Sequence, residues 1–308
     1  MFLCRVFWML YCLWKPWLIP PILYGINTYI VYSKKMDFAE FERRFILLEP
    51  LIRETGRHVR EQRKSEQINV IIKPDGSPVT NLDLYANKRI CTFLEENFPG
   101  EVVIGEESEN KQYKPGAGCV WYIDPIDGTK AFIDGREGYF VLIGLCIDGV
   151  PVFGMIYQPE KDILMYGWTG RPALAVNGSS TVEVMKSERP SWDHNIPIVM
   201  KAIRSEHRDY FKSQFNVARA SFQDEMIDML GSLYGASNGY ISYRPTAYWD
   251  LCAPAALLHA SGYELAGEAE VGPVLFNDGT LSTSFYYCLP PDTPASFIKE
   301  LWIRHGNP

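Results

Sequence analysis

The amino-acid sequence predicts a mixed α/β protein, and three observations support this fold class. Apolar residues at helical spacing follow residue 36 and recur over residues 81–97. Short apolar runs separated by turn residues come next, which is typical of an antiparallel sheet. Beyond residue 180, strand-like and helical segments alternate, as in a layered α/β lobe. We therefore expect an N-terminal α+β lobe over residues 36–180 and a C-terminal α/β lobe over residues 181–308.

The composition limits the function classes. The 308 residues are 47% hydrophobic, which is enough for a substantial core. A net charge of -7 disfavours a nucleic-acid polymer as partner, because such binding needs clustered lysine and arginine. The seven cysteines are scattered without CxxC spacing, so we expect a reducing, cytoplasmic environment. The five histidines show no paired ligand spacing, so any metal should be a hard ion held by oxygen.

The first 35 residues form an apolar extension. A membrane-spanning helix needs about 20 apolar residues, but Lys15-Pro16 and Pro20-Pro21 interrupt residues 1–32. No clear small-residue cleavage site indicates a secretory signal. An over-extended start and a dispensable membrane anchor both remain open. If the stretch inserts, Lys34 and Lys35 would keep the following domain at the inner, cytoplasmic face of the membrane.

The predicted elements follow in chain order. The first helix begins near Asp37, and Pro50 should kink it or divide it into a pair. A second helix covers residues 81–97, and Pro99-Gly100 stops it. A hairpin is expected to turn at Asp148-Gly149, and another turn at Asn177-Gly178. Strands are predicted over residues 102–104, 120–123, 139–147, 152–157 and 196–200, and helices over residues 208–215, 225–235 and 251–260.

The segment WYIDPIDGTKAF, residues 121–132, carries the most chemical information. An apolar strand ends in Asp124, and a turn then leads through Asp127, Gly128 and Thr129 into a helix. Both carboxylates can point to one place, where an aspartate can bridge two divalent ions about 3.5 to 4 Å apart. Gly128 allows close backbone approach, and amide groups at a helix start bind phosphate. An acidic turn followed by glycine is often only a turn, so this segment alone leaves both interpretations open.

Three further segments carry acids near expected element ends. Glu106 follows the strand at residues 102–104, although paired acids in loops are ordinarily solvated. Thr80 is expected to cap the second helix, with Asp83 available to orient Thr129, whose hydroxyl can polarise a water. Asp250 precedes an apolar helix, where it can be an N-cap or a metal ligand from the other half of the chain.

Taken together, the motifs GEE, DPIDGT and WDLCAP resemble the signature of the inositol monophosphatase superfamily of lithium-sensitive, magnesium-dependent phosphatases. The resemblance covers roughly residues 36–290 and implies a layered αβαβα sandwich. It implies two to three Mg2+ ions and the hydrolysis of a small soluble phosphate ester. A monomer and a homodimer both remain open.

The resemblance also implies roles for individual residues. Glu106, Asp124 and the carbonyl of Ile126 would hold one ion, and Asp124, Asp127 and Asp250 a second. A third, weaker ion would lie near Glu106, which thereby takes part in catalysis. Thr129, supported by Asp83, would assist attack of water on phosphorus, and Gly128, Thr129 and Asp250 would contact the substrate.

Within the superfamily, KPDGSPVT and WDLCAP look most like the 3'(2'),5'-bisphosphate nucleotidase branch, which converts adenosine 3',5'-bisphosphate to AMP. Arg204 resembles part of the branch's nucleotide contact, and Arg244 can meet a second phosphate with its bidentate fork. Ser232 and Gly262-Tyr263 depart from the branch pattern. Inositol monophosphatase and histidinol-phosphatase activities therefore stay open, as does an inactive metal- or nucleotide-binding relative or a membrane-tethered scaffold.

Overall fold

A computed structural model describes residues 36–65, 68–109, 111–113, 116–177, 180–183, 190–219, 225–267, 274–277 and 279–305. The predicted extension at residues 1–35, including the possible membrane anchor at residues 1–32, lies outside these residues, as does Gly178 of the predicted turn. Among the described helices, none combines the length and the apolar character needed to cross a membrane.

Seven helices and two large sheets make up most of the described chain. The helices are α1 (Phe38–Ser65), α2 (Asn81–Asn97), α3 (Thr129–Ile133), α4 (Ser205–Gln214), α5 (Glu225–Leu230), α6 (Tyr248–Ala260) and α7 (Ala295–His305), with a 3-10 turn at Gly231–Tyr234. The first sheet runs in chain order through β3 (Val102–Gly105), β4 (Cys119–Asp127), β5 (Phe140–Ile147), β6 (Val150–Gln158), β7 (Ile163–Trp168), β8 (Arg171–Asn177) and β9 (Ser180–Glu183).

The second sheet has five strands in the order β11-β10-β12-β16-β14. Two-stranded pairs, β1 with β2 and β13 with β15, complete the described strands. The strands of the second sheet and of the two pairs are β1 (Val70–Ile72), β2 (Pro78–Thr80), β10 (Ile198–Lys201), β11 (Val217–Arg219), β12 (Gly239–Ser242), β13 (Thr246–Ala247), β14 (Glu264–Gly267), β15 (Ser282–Thr283) and β16 (Tyr286–Leu289).

The packing of each sheet face against particular helices defines five layers. Along β4, Trp121 and Ile123 share a core with α1 and α2, whereas Val120 and Tyr122 face α6. On the second sheet, Val199 and its neighbours face α6, and the opposite face packs against α4 and α7. The order is helix, sheet, helix, sheet, helix, which confirms the predicted αβαβα sandwich. The predicted division into lobes at residue 180 stays a prediction.

Several local predictions are confirmed. Helix α2 has the expected bounds. The hairpin of β5 and β6 turns at Asp148 (φ 50°) and Gly149 (φ 83°), two successive positive φ values that match a tight hairpin turn. Strand β10 and helices α4 and α5 also lie within a few residues of their predicted positions.

The structure narrows one expectation for the first half and corrects another. Of the single helix and the helix pair left open at Pro50, it shows a single helix, α1, which runs through Pro50. Pro50 is exposed, and Ile46, whose carbonyl loses its helical donor, is 64% exposed, so water can satisfy that carbonyl. The first sheet is also not wholly antiparallel, since β3 and β4 run parallel.

Two paired glycines allow α6 to approach the first sheet closely. Gly144 of β5 and Gly154 of β6 are paired in register. A Cβ atom on Gly144 would lie 2.6 Å from Cys252 Sγ and 2.7 Å from the backbone nitrogen of Ala253, both in α6. Because a backbone atom cannot swing aside as a side chain can, the helix rests directly on the sheet backbone.

We expect Gly144→Ala to lower the free energy of unfolding by about 1 to 3 kcal/mol, because the added methyl group overpacks this contact. Urea denaturation measures the change. Gly118→Ala is the matched control, since a Cβ there meets no heavy atom within 4 Å, and it should shift stability by less than about 0.5 kcal/mol. Equal midpoints for the two variants would contradict the direct contact.

Candidate metal and phosphate site

The end of β4 brings two aspartates to the same side of the strand. Asp124 pairs with Leu142 and Asp127 with Phe140, so β4 contains one extra residue between these pairs. In a regular strand, residues three apart point to opposite faces. A bulge with one extra residue restores the same side, and the carboxylates of Asp124 and Asp127 converge as the sequence predicts.

Gly128 follows Asp127 in a conformation that requires glycine. Its φ is 86°, and a Cβ there would lie 2.6 Å from the carbonyl oxygen of Gly138. The chain then enters α3 at Thr129. The predicted helix start is therefore present, although α3 has only 5 residues.

Asp250 reaches the same place from α6. Of its two possible roles, the N-cap is excluded: Ala247 is the N-cap, no side chain caps the helix, and Asp250 lies inside the first turn. Its carboxylate instead accepts a hydrogen bond from the backbone of Ala247. Carboxylate oxygens of Asp124, Asp127 and Asp250 all lie within 4.8 Å of one another.

Crowding and burial shift the titration of these three acids. Burial, together with the charges of Glu106, Asp127 and Asp250, raises the pKa of Asp124 well above its usual range. Burial is also the main cause that raises the pKa of Asp127 to about 7, followed by the charges of Asp250 and Glu106. The pKa of Asp250 is raised to about 7 by burial and by Glu106.

These observations indicate a fit to a hard divalent cation. Oxygen ligands in carboxylates are what Mg2+ binds, and a cation would replace the protons that the cluster otherwise retains. Asp124 is 2% exposed, so a bound ion would be shielded from bulk water on that side. The three aspartates can therefore hold a metal ion.

Glu106 lies beside this cluster rather than within it. Its backbone N–H donates to the carbonyl of Ile123 at 2.9 Å, which ties the end of β3 to β4. Its carboxylate accepts a hydrogen bond from Lys73 Nζ at 2.8 Å, and Glu107 accepts another from the same nitrogen at 2.6 Å. Glu106 still raises the pKa of each clustered aspartate. Its charge therefore acts on the site.

Asp83 and Thr129 are connected as expected. Thr80 caps α2, and Asp83 accepts from the Thr80 backbone N–H at 2.8 Å and from the Thr80 hydroxyl. The Thr129 hydroxyl lies 3.2 Å from Asp83 Oδ1 and 3.1 Å from the carbonyl oxygen of Ile126, so it can donate to either. Burial raises the pKa of Asp83 to about 6, against the hydrogen bonds from Thr80. The pair can hold a proton near neutral pH.

The two arginines predicted to bind substrate differ in position. Arg244 is exposed, and its charge acts on Lys201, which is also influenced by Asp127 and Asp250. Arg204 is exposed at the start of α4, where its charge acts on Glu206. Within the described chain, the structure thus brings Arg244, but not Arg204, into the electrostatic surroundings of the acid cluster.

Two lysines at the site were missed by sequence reasoning. Lys73 begins the motif KPDG, and its place in a turn between two short strands suggests only a solvated side chain. Lys201 is 4% exposed at the end of β10. The available signal for Lys201 was a single charge directly after the apolar run of residues 196–200.

Comparison with known proteins agrees with this fold. A family profile described as "Inositol monophosphatase family" matches residues 42–293. The chain belongs to the inositol monophosphatase family of phosphatases. Among its relatives, a 3'(2'),5'-bisphosphate nucleotidase CysQ of Haemophilus influenzae is 34% identical over 218 residues, 67% of this chain and 77% of that protein.

Two other relatives align over shorter segments. The bifunctional phosphatase IMPL2 of Arabidopsis thaliana is 37% identical over 105 residues, which is 34% of this chain and 30% of that protein. An inositol-1-monophosphatase of Bacillus subtilis is 33% identical over 123 residues, which is 40% of this chain and 46% of that protein. The alignments with these two relatives thus span less than half of their length.

Solved structures share the fold. The crystal structure of CysQ from Bacteroides thetaiotaomicron has a TM-score of 0.66 at 22% identity, covering 81% of this chain and 97% of that one. A structure described as IMPase/NADP phosphatase complexed with Mg2+ and phosphate has a TM-score of 0.68 at 19% identity, covering 85% of this chain and 95% of that one.

The raised pKa values predict how pH affects the metal-free protein. Asp127 and Asp250 have a pKa of about 7 in the folded state, whereas an unfolded aspartate has a pKa of about 3.9. Their protonation therefore stabilises the fold fully below about pH 4, and this stabilisation is lost as pH rises through about 7. In EDTA, the melting temperature should therefore fall between about pH 5 and pH 8. Added Mg2+ should raise the melting temperature more at the higher pH, because fewer protons compete.

Thermal unfolding with and without Mg2+ tests this expectation. Asp127→Asn is the control, because it removes one of the titrating groups and should reduce both pH effects. A metal-free melting temperature that rises over this pH range, with the variant behaving as the parent, would contradict the repulsion described for the three acids.

Proposed function

We propose that this chain is a Mg2+-dependent phosphomonoesterase that converts adenosine 3',5'-bisphosphate to AMP and phosphate. The observation that carries the proposal is the convergence of Asp124, Asp127 and Asp250 within 4.8 Å. An inactive nucleotide-binding relative has no need to keep three acids in a close group whose repulsion opposes folding. The retained cluster therefore favours an enzyme over an idle binding protein.

The proposed ligand sets follow from the positions of the acids. Asp124, Asp127 and Asp250 would hold one ion, and Glu106, Asp124 and the carbonyl of Ile126 another, with a third, weaker ion near Glu106. When bound, Mg2+ neutralises charge on the phosphoryl oxygens and makes water a stronger nucleophile.

The protein's own groups would orient the nucleophile and the phosphate. Thr129 donates to Asp83 or to the carbonyl of Ile126, so its oxygen is left to accept a hydrogen bond from water. Asp83, with a pKa of about 6, is mostly ionised at neutral pH and can take up a proton through Thr129. Gly128 would allow the phosphate to approach the backbone closely.

The choice of a bisphosphate substrate rests on Arg244 and on the family relationship. Arg244 is exposed, and its charge lowers the pKa of Lys201, which the charges of Asp127 and Asp250 raise. A guanidinium in that position can form two parallel hydrogen bonds with a second phosphate. Arg204 would contact the nucleotide from the start of α4. The relationship to bisphosphate nucleotidases such as the CysQ of Haemophilus influenzae supports the same substrate class.

The test is phosphate release in Mg2+ from adenosine 3',5'-bisphosphate, inositol 1-phosphate, histidinol phosphate and fructose 1,6-bisphosphate. We expect the highest kcat/KM with the nucleotide, and no turnover in EDTA. A preference for inositol phosphate or histidinol phosphate would instead assign one of those two activities. Turnover that persists in EDTA would refute the proposal.

Asp124→Asn should reduce kcat by more than about a thousandfold, because the proposed position of Asp124 between two ions makes its charge act on both. Steady-state kinetics at saturating Mg2+ gives the value. Asp134→Asn is a suitable control, because Asp134 is exposed and pairs with Arg136 at the surface. Turnover of Asp124→Asn within about tenfold of the parent would count against the proposed ligand set.

Arg244→Ala should lower kcat/KM for adenosine 3',5'-bisphosphate by about tenfold or more, because the variant loses the proposed contact with the second phosphate. Inositol 1-phosphate has no second phosphate, so its kcat/KM should stay within about threefold of the parent value. The comparison of the two kcat/KM ratios measures this. Equal losses on both substrates would favour the inositol phosphatase interpretation.

A further inference from the structure

Lys201 occupies a position that the proposed chemistry does not yet use. It ends β10, is 4% exposed, and is one of few buried charged residues in the described chain. A buried ammonium group is costly unless charges or hydrogen bonds offset the loss of water. The position therefore needs a physical reason beyond the solubility that a surface lysine provides.

The backbone connects Lys201 to the segment that carries Arg244. Lys201 is paired in register with Ser242 of the adjacent parallel strand β12. The backbone N–H of Tyr243 donates to the carbonyl of Lys201 at 3.1 Å, and the N–H of Arg244 donates to Ser242 Oγ at 3.2 Å. Arg244 is thus held a short distance beyond the end of β10, on the stretch of chain that continues to Asp250.

Opposite charges and a like charge both act on Lys201. Burial lowers its pKa to about 8, and the positive charge of Arg244 is the next largest cause, while Asp127, Asp250 and Asp228 act in the other direction. The β10–β12 register and the Tyr243 hydrogen bond place Lys201 and Arg244 at the same end of two adjacent strands, and the charges of Asp127 and Asp250 act on Lys201 there. Two cations held near each other repel in the free protein, and an anion that contacts both relieves that repulsion.

We propose that Lys201 and Arg244 together form a subsite for a second phosphate, so that Lys201 selects substrates carrying two phosphate groups over those carrying one. This inference rests on the proposed phosphatase function, in which the phosphate to be hydrolysed binds at the aspartates. The phosphate that stays on the product would then lie against the end of β10, with Lys201 on its buried side and Arg244 on its exposed side.

A purely structural role for Lys201 leads to a different expectation. If Lys201 only neutralised Asp127, Asp250 and Asp228, its loss would affect every substrate equally, because all of them need the aspartates. Discrimination between a bisphosphate and a monophosphate of the same nucleoside therefore separates the two roles.

The experiment compares parent, Lys201→Met and Lys212→Met with adenosine 3',5'-bisphosphate and adenosine 3'-monophosphate, in saturating Mg2+. Lys212 is exposed on α4, so Lys212→Met makes the same charge change away from the site. We expect Lys201→Met to lower kcat/KM for the bisphosphate by about tenfold or more, mainly through KM, and that for the monophosphate by less than about threefold. Lys212→Met should match the parent on both.

Equal losses on the two substrates, or no loss, would overturn the inference and leave Lys201 as a neutralising residue. Calorimetric binding of the same two nucleotides to parent and Lys201→Met decides the question without turnover. A parent preference for the bisphosphate that Lys201→Met loses supports the subsite, and a preference that is absent or unchanged overturns it. A parent that binds the bisphosphate selectively but hydrolyses neither nucleotide would refute the proposed function alone.

Thermal unfolding checks that the variants are folded. If the melting temperature of Lys201→Met lies well below that of the parent, Lys201→Gln is used instead. Its amide keeps a polar group on the side chain but removes the charge. Retained discrimination between the two nucleotides in a folded Lys201→Gln variant would equally overturn the inference.

Discussion

Repulsion among three close carboxylates, one buried and two half-buried, is the constraint on which the rest of the site depends. Asp124 and Asp127 are brought together by a bulge in β4, and Asp250 is brought to them by α6. Because α6 rests on the backbone at Gly144, it cannot move toward the sheet, and the acids are held at a fixed spacing. Burial raises their pKa values, and the charges of neighbouring carboxylates raise them further. The fold therefore maintains a concentration of negative charge that a divalent cation can neutralise.

Much of the fold could be predicted from the sequence because its signals are local. Apolar spacing and a proline-glycine stop define α2, and Asp148-Gly149 defines a tight hairpin turn. The start of α6 could not be placed, because its N-cap, Ala247, has no capping side chain and the helix is instead stabilised by burial on most sides. At Pro50 the sequence left a single helix and a helix pair open, because a proline on the solvent side of a long, packed helix is tolerated.

Most of the residues predictable at the site are acids or lie next to them in sequence. The structure brings Asp124 and Asp127, at the end of a predicted strand, together with Asp250, although their roles as ligands stay proposals. Lysines are different, because a lysine is ordinarily solvated and nothing nearby in the sequence indicates its burial. Lys73 reaches Glu106 and Glu107 across 33 and 34 residues. Lys201 is brought near Arg244 by the pairing of β10 with β12, and its other charged neighbours come from β4, α5 and α6.

Helix α6 lies between the two sheets and carries Asp250 at its first turn, whereas Asp124 and Asp127 belong to the first sheet. An ion bound by all three would join segments from opposite halves of the chain, much as a disulfide joins distant cysteines, but reversibly. Such a link stabilises the folded state only while the ion is bound, because the unfolded chain does not hold the three acids together. The cohesion of the layers would then follow the free magnesium concentration, so the same atom that assists hydrolysis would also govern how long the folded molecule persists.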